Sequence, residues 1–284
     1  MLMLTTLCEY WGSQGVIQAS VPTSRNPLAE NCKLYEYLWG KDSTLRDRIY
    51  SFTNVPHIRD GDNSMLRMLS LRVGEEGLQD AVLQLPCGLT DLLVRGSYEG
   101  ALRMMNDSEA SRQLVTMDVE KTNDDGTTYT IRMPIPGTRQ KVNRAFIFSG
   151  HPGIGKTCFL SYVLAERLLK AQPTVLQTGS DVDGYFHILF DQSGVRRVTS
   201  YDDDCLHDTA IWALTDQKPR GLASIFEAHK WLVVVTSSPQ PENYKRIKKN
   251  YASPVYYMPE WTWEEIAATS SVPHQVSGVC VQSG

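Results

Sequence analysis

The chain has 284 residues, of which 42% are hydrophobic and 21% charged, with 28 lysines and arginines against 32 aspartates and glutamates. That length holds one large α/β domain plus a smaller lobe, and a formal net charge of −4 excludes non-specific neutralisation of a nucleic-acid backbone by the chain as a whole. Six cysteines, at positions 8, 32, 87, 158, 205 and 280, follow no CxxC spacing, which fits a reduced compartment rather than a disulfide scaffold.

The N-terminal MLMLTTLCEY lacks the basic flank and cleavage pattern of a secretory signal, and no run approaches the roughly eighteen apolar residues of a bilayer span. The expectation is an intracellular protein, cytoplasmic or nuclear, with no membrane partner. Residues 1–33 are polar and turn-rich, with Pro22, Asn26, Pro27 and Asn31, and read as a flexible arm. Residues 34–140 predict a small, mainly helical lobe, with helical spacing over Leu34–Leu38, Ser43–Tyr50, Ser64–Val73 and Tyr98–Met105. The same stretch holds a short apolar run at Leu92–Val94 and a hairpin of Leu114–Val119 and Thr127–Met133 about the turn Asn123–Gly126.

From residue 141 to 268 short apolar strands alternate with helical segments, the signature of a parallel sheet covered by helices. The strands expected are Ala145–Ser149, Thr174–Thr178, Thr209–Thr215, Trp231–Thr236 and Val255–Met258. Lys156–Ala171 reads as a helix stopped by Pro173, and Tyr185–Phe190 with Val195–Thr199 as a hairpin about Asp191–Gly194. Residues 269–284 read as a disordered tail. The fold expected is α/β, a P-loop NTPase with a parallel sheet flanked by helices, of the additional-strand type with strand order 5-1-4-3-2.

Gly150-His151-Pro152-Gly153-Ile154-Gly155-Lys156-Thr157 matches GxxxxGK[ST] without departure, between an apolar strand and a helix. Phosphates need inward-pointing backbone N–H groups, and glycines permit the φ/ψ values that let successive amides converge. The helix dipole behind them adds to the attraction. This segment with Cys158 is the candidate binding loop, Lys156 reaching the β- and γ-phosphates of ATP and the Thr157 hydroxyl offering a hard ligand to Mg²⁺. Asp216, at the end of an apolar strand, is the candidate carboxylate for the same metal. Ser237, or its neighbour Thr236, is the polar group expected near the γ-phosphate, so the candidate catalytic set is Lys156, Asp216 and Ser237. Gln217 stands where many such hydrolases carry a glutamate base, which supports binding more strongly than hydrolysis. No [NT]KxD segment follows to read guanine, so the lean is toward ATP.

The segments VPHIRDGD (55–62), LLVRGSYEGAL (92–102), FSGHPGIGKTCFLSYVLAERLL (148–169), WALTD (212–216), VVVTSSPQPENYK (233–245) and YMPEWTWEEI (257–266) together resemble the fungal branch of the Crinkler and retrotransposon-hot-spot family. Its P-loop module is similar to AAA+ and STAND ATPases. The resemblance covers roughly residues 34 to 266 and implies an ATP- and Mg²⁺-binding module, often followed by a helical lid and in many members by a restriction-type nuclease domain. No segment here matches either, and the chain reads as truncated after Ile266.

Within that last segment Thr262 and Glu265 form a T-x-x-E capping box, and Trp261 and Trp263 read as packing against the sheet edge rather than contacting a ligand. His57, Asp60 and Asp62 read as a turn rather than a metal site, and Asp202, Asp203 and Asp204 as a solvated loop. Lys245, Arg246, Lys248 and Lys249 form a basic cluster near Tyr244 and Tyr251, read as a solvated helix face with a nucleic-acid surface as the alternative. The leading function is a slow ATPase or nucleotide-controlled switch, with self-association or a protein partner, for example through Arg220 of a neighbour. The alternatives are a degenerate, non-hydrolysing scaffold protein and, further off, a small-molecule kinase.

Overall fold

A computed structural model describes residues 27–56, 63–71, 83–113, 116–123, 126–135, 144–180, 184–198, 205, 207–216, 230–251 and 253–271. The N-terminal part comprises α1 (Pro27–Leu38), α2 (Asp42–Ile49), β1 (Tyr50–Pro56), β2 (Asn63–Ser70), β3 (Asp91–Val94), α3 (Gly96–Gln113), β4 (Thr116–Thr122) and β5 (Thr128–Pro134). The larger part follows with β6 (Ala145–Ser149), α4 (Lys156–Leu169), β7 (Thr174–Ser180), β8 (Gly184–Asp191), β9 (Gly194–Val198), β10 (Trp212–Thr215), β11 (Leu232–Ser237), α5 (Lys245–Tyr251), β12 (Val255–Tyr257) and α6 (Trp263–Ser271).

The central sheet has seven strands in the order β12-β6-β11-β10-β7-β8-β9. Strands β12, β6, β11, β10 and β7 pair in parallel, whereas β7 with β8 and β8 with β9 pair antiparallel. The expectation of a P-loop NTPase with a parallel sheet is thus corrected: the architecture is α/β with a mixed sheet. The cause is local. Only Gln192 and Ser193 separate β8 from β9, and a two-residue turn can join only antiparallel neighbours, since a parallel pair needs a crossover of a dozen or more residues.

The mainly helical N-terminal lobe is corrected as well. β1, β2 and β3 form an antiparallel sheet and β4 with β5 a separate two-stranded one. The segment Ser64–Val73, read as a helix, is strand β2 as far as Ser70, because β1 and β3 flank it with Leu69 opposite Tyr50 and Leu92. Apolar runs of this length carry both periods, and strand partners decide between them. Helix α1 starts at Pro27, inside the segment read as an arm, because Leu34 and Leu38 are buried in the main core and Tyr35 Oη donates to the Asp191 carbonyl at 2.9 Å. Helix α6 likewise runs to Ser271, into the segment read as a tail. The strand expected over Thr209–Thr215 begins only at Trp212; before it, the Thr209 amide and hydroxyl donate to the Arg132 carbonyl at 2.8 and 2.9 Å.

Both faces of the sheet are sealed. Phe146 and Phe148 of β6, Trp212 and Leu214 of β10 and Leu232 and Val234 of β11 pack with Phe159, Val163 and Leu164 of α4 on one face. Ala145, Ile147, Ala213, Val233 and Val235 alternate with them and pack with Tyr244 and Ile247, the latter on α5, on the other. This period-2 division fixes which strand-end side chains reach the α4 side.

Candidate phosphate-binding site

The wholly buried strand β6 delivers the chain to its carboxyl edge at Ser149, and α4 begins at Lys156. Between them Gly153 and Gly155 take φ values of 80° and 87°, the left-handed region that other residues enter at a cost. Gly150 is required for a different reason. A Cβ there would lie 2.1 Å from Ile154 Cδ1 and 3.5 Å from the Met258 carbonyl, because the Ile154 side chain folds back beneath the loop and is buried.

Side chains from distant elements hold the loop's carbonyls. Trp261 Nε1 donates to the Gly153 carbonyl at 3.1 Å, Arg95 Nη1 to that of Ile154 at 3.0 Å, and Tyr98 Oη to that of Gly155 at 2.7 Å. A trans peptide points its N–H opposite to its C=O, so the amides of Ile154, Gly155 and Lys156 are turned away from these three anchors. Lys156 Nζ donates to the carbonyls of Gly150 and His151, both at 2.7 Å. Partial burial holds its pKa below the ordinary lysine value. The ammonium thus sits at the mouth of the loop on two neutral acceptors that an anion can outbid.

Arg95 is the keystone of this support. Its guanidinium is almost completely buried; it pairs through Nε with Glu265 Oε2 at 2.9 Å, donates through Nη2 to the Pro259 and Glu260 carbonyls at 3.1 and 2.7 Å, and lies over the Trp261 ring at 4.6 Å. Glu265 also accepts the Thr262 amide at 2.9 Å while Thr262 Oγ1 accepts that of Glu265 at 3.2 Å, the reciprocal capping box that starts α6. Trp261, read from the sequence as packing, therefore anchors the loop, and Trp263 is exposed. Arg95 and Tyr98 were legible only as part of the segment LLVRGSYEGAL.

The strand ends bring further candidates together. Asp216 directly follows β10, on the α4 side by alternation with Trp212 and Leu214, and Thr157 Oγ1 approaches Asp216 Oδ2 at 3.4 Å. Strand β11 lies between β6 and β10, and its end divides the two hydroxyl candidates. Thr236 lies opposite Phe148, which faces α4, and its buried Oγ1 has no hydrogen-bond partner among the described residues. Ser237 lies opposite Ser149, so alternation puts it on the other face. Thr236 is thus the hydroxyl on the side of Lys156 and Thr157.

His151, Pro152 and Thr157 are exposed at the rim, and Cys158 is partly buried behind it. The basic residues Lys245, Arg246, Lys248 and Lys249 are exposed on α5, which covers the sheet face opposite α4, so the fold does not bring them to the loop. His57, Asp60, Asp62, Asp202, Asp203, Asp204, Gln217 and Arg220 lie outside the described residues.

No protein-family model, curated protein or solved structure matches this chain. Among the described residues no helix is long and apolar enough to cross a membrane, and no group of three or more His, Cys, Asp or Glu is gathered. Mg²⁺ held by one hydroxyl, one carboxylate and the phosphates of its ligand requires no such group. The donor set suits it, Thr157 and Asp216 presenting hard oxygens side by side next to a lysine.

Proposed function

We propose that the chain binds ATP with Mg²⁺ at Gly150–Thr157 and acts as a slow ATPase or a nucleotide-controlled switch. The observation that carries this reading is the anchoring of the carbonyls of Gly153, Ile154 and Gly155 by Trp261, Arg95 and Tyr98, which turns three successive amides the opposite way at the start of a helix. Convergent amides at a helix N-terminus favour a phosphate. Lys156 would exchange its two carbonyl acceptors for phosphate oxygens, gaining charge-assisted bonds. Thr157 and Asp216 would hold the Mg²⁺, which when bound offsets phosphate charge. Thr236 would offer its buried hydroxyl to the terminal phosphate. The choice of ATP, and the resemblance to the Crinkler and retrotransposon-hot-spot family, rest on the sequence segments and form part of the same proposal.

Gln217 favours a second reading, a non-hydrolysing interaction protein that binds nucleotide without turning it over. Calorimetry with Lys156→Ala tests the shared core of both: most affinity for Mg²⁺–ATP is expected to be lost, and unchanged binding would remove the loop from the proposal. Phosphate release at saturating ATP then separates hydrolysis from its absence.

A further inference from the structure

The turn at 85–89 lies against the first turns of α4. The Gly88 amide donates to the Leu85 carbonyl at 2.7 Å and the Leu85 amide to the Leu89 carbonyl at 2.8 Å, with Gly88 at a φ of 82° that suits glycine. Cys87 occupies this turn, and its amide donates to Ser161 Oγ of α4 at 3.1 Å. Ser161 stands three residues after Cys158 and so shares its helix face. The bond therefore sets the Cys87 turn beside the helix face that carries Cys158, and both cysteines are free and only partly buried.

We propose that Cys87 and Cys158 are an oxidisable pair that a peroxide closes to a disulfide, stapling the 85–89 turn to the first turn of α4 beside the loop. The Cys87 sulfur attacks one peroxide oxygen and the O–O bond breaks; the departing hydroxide leaves as water with the thiol proton, and Cys87 becomes a sulfenic acid. The Cys158 sulfur then attacks the Cys87 sulfur, the S–S bond forms, and the sulfenic oxygen leaves as a second water with the Cys158 proton. Two thiols lose two hydrogens and one peroxide becomes two waters.

Three observations favour this pair. The Cys87–Ser161 bond holds the turn on the helix within a turn of Cys158, so the two sulfurs start from neighbouring positions, as closure to a disulfide requires. The neighbouring Cys158 thiol also draws the pKa of the Cys87 thiol down against the opposing effect of burial, which favours thiolate, the nucleophilic form. Cys205, by contrast, is buried. The chemistry does not depend on nucleotide binding.

The test is a peptide map of the full chain, reduced, exposed to hydrogen peroxide at neutral pH without nucleotide, quenched with N-ethylmaleimide and digested without reductant. A linked Cys87–Cys158 peptide should appear first, with loss of maleimide from those two positions and its return after reduction. Cys87→Ser and Cys158→Ser should each abolish that peptide, and Cys32→Ser should not. A map in which Cys87 and Cys158 both keep their maleimide, or pair with other cysteines, overturns the proposal from the wild-type chain alone. Loss of ATP binding in Lys156→Ala would leave this outcome untouched, so each idea fails separately.

Discussion

Arg95 and Glu265, 170 positions apart in sequence, form an ion pair of 2.9 Å with side-chain exposures of 1% and 9%. The pair ties the residue after β3 to the helix after β12, and the same guanidinium reaches the Ile154 carbonyl within the candidate loop. Taking one member of a buried pair leaves the other charged and unsolvated, which typically costs about 3–5 kcal/mol. Arg95→Met and Glu265→Gln should each lower unfolding stability by about this amount in urea titrations, and the double variant should lose clearly less than the two together. Strict additivity would mean that the carbonyl contacts of Arg95, rather than its partner, carry its contribution.

Gly155 caps α4 in the left-handed conformation, and a Cβ on it would lie 2.1 Å from Tyr98 Oη. Gly155→Ala should therefore destabilise twice, by roughly 1–2 kcal/mol for the left-handed backbone and further for the clash. Tyr98→Phe removes the hydroxyl and leaves the nearest remaining ring atom, Cζ, at 3.4 Å. The alanine should consequently cost less in the Tyr98→Phe background than in the wild type, read as a coupling in a double-mutant cycle. Equal costs in both would show that the loop moves away from Tyr98 freely.

The residues of the loop are legible in the sequence because a glycine-rich turn between a strand and a helix is written in consecutive positions. Its supports are not. Arg95, Tyr98 and Trp261 act on carbonyls, keep no fixed spacing relative to Gly150–Thr157, and converge only through the packing of β3, α3 and the strap after β12. The turn at Asp191–Gly194 is likewise visible as a local reversal, but β8 also pairs antiparallel with β7, with only residues 181–183 between them, and the two reversals together turn the expected parallel sheet into a mixed one. The choice between Thr236 and Ser237 needs the register of β11 against β6, a relation that one strand's residues do not encode.

Glu166 of α4 links the helix to the N-terminal part. Arg46 donates to both its carboxylate oxygens at 2.9 Å, and Tyr50 Oη donates to Oε1 at 2.5 Å. Burial alone would raise its pKa, but the bonds from Arg46 and Tyr50, with the charge of Arg46, outweigh it and hold the carboxyl below the ordinary glutamate value. A carboxyl depressed in the folded state binds fewer protons there than in the unfolded chain. Its stabilisation is therefore complete above the unfolded value of about 4.3 and drains away as pH falls through the lower folded value. Melting temperatures measured from neutral to acid pH should fall across that window, and Glu166→Gln should flatten this part of the profile while costing about 1.5–3 kcal/mol at neutral pH through its weakened bonds. An unchanged acid limb in the variant would assign the acid sensitivity to other carboxylates.

Asp216 is the residue through which metal binding at the loop is most directly tested. It stands at the end of β10 within 3.4 Å of the Thr157 hydroxyl, and both are exposed, so a hydrated Mg²⁺ can reach them without rearrangement of the core. Its proposed task is to hold the metal and its water shell, whereas Lys156 and the loop amides address the phosphates. The two tasks separate in a measurement. Asp216→Asn keeps the shape of the side chain and removes its charge, and loss of a supporting carboxylate typically lowers metal affinity by about 10–100-fold. ATP titrations with Mg²⁺ should therefore weaken markedly in this variant, while titrations in a chelator should change little or improve, because a negative charge near the phosphates has gone. Lys156→Ala should behave in the opposite way and weaken binding under both conditions. Equal losses for Asp216→Asn with and without Mg²⁺ would detach the metal from β10 and turn attention to Asp202, Asp203 and Asp204, the acidic run that precedes the strand in sequence.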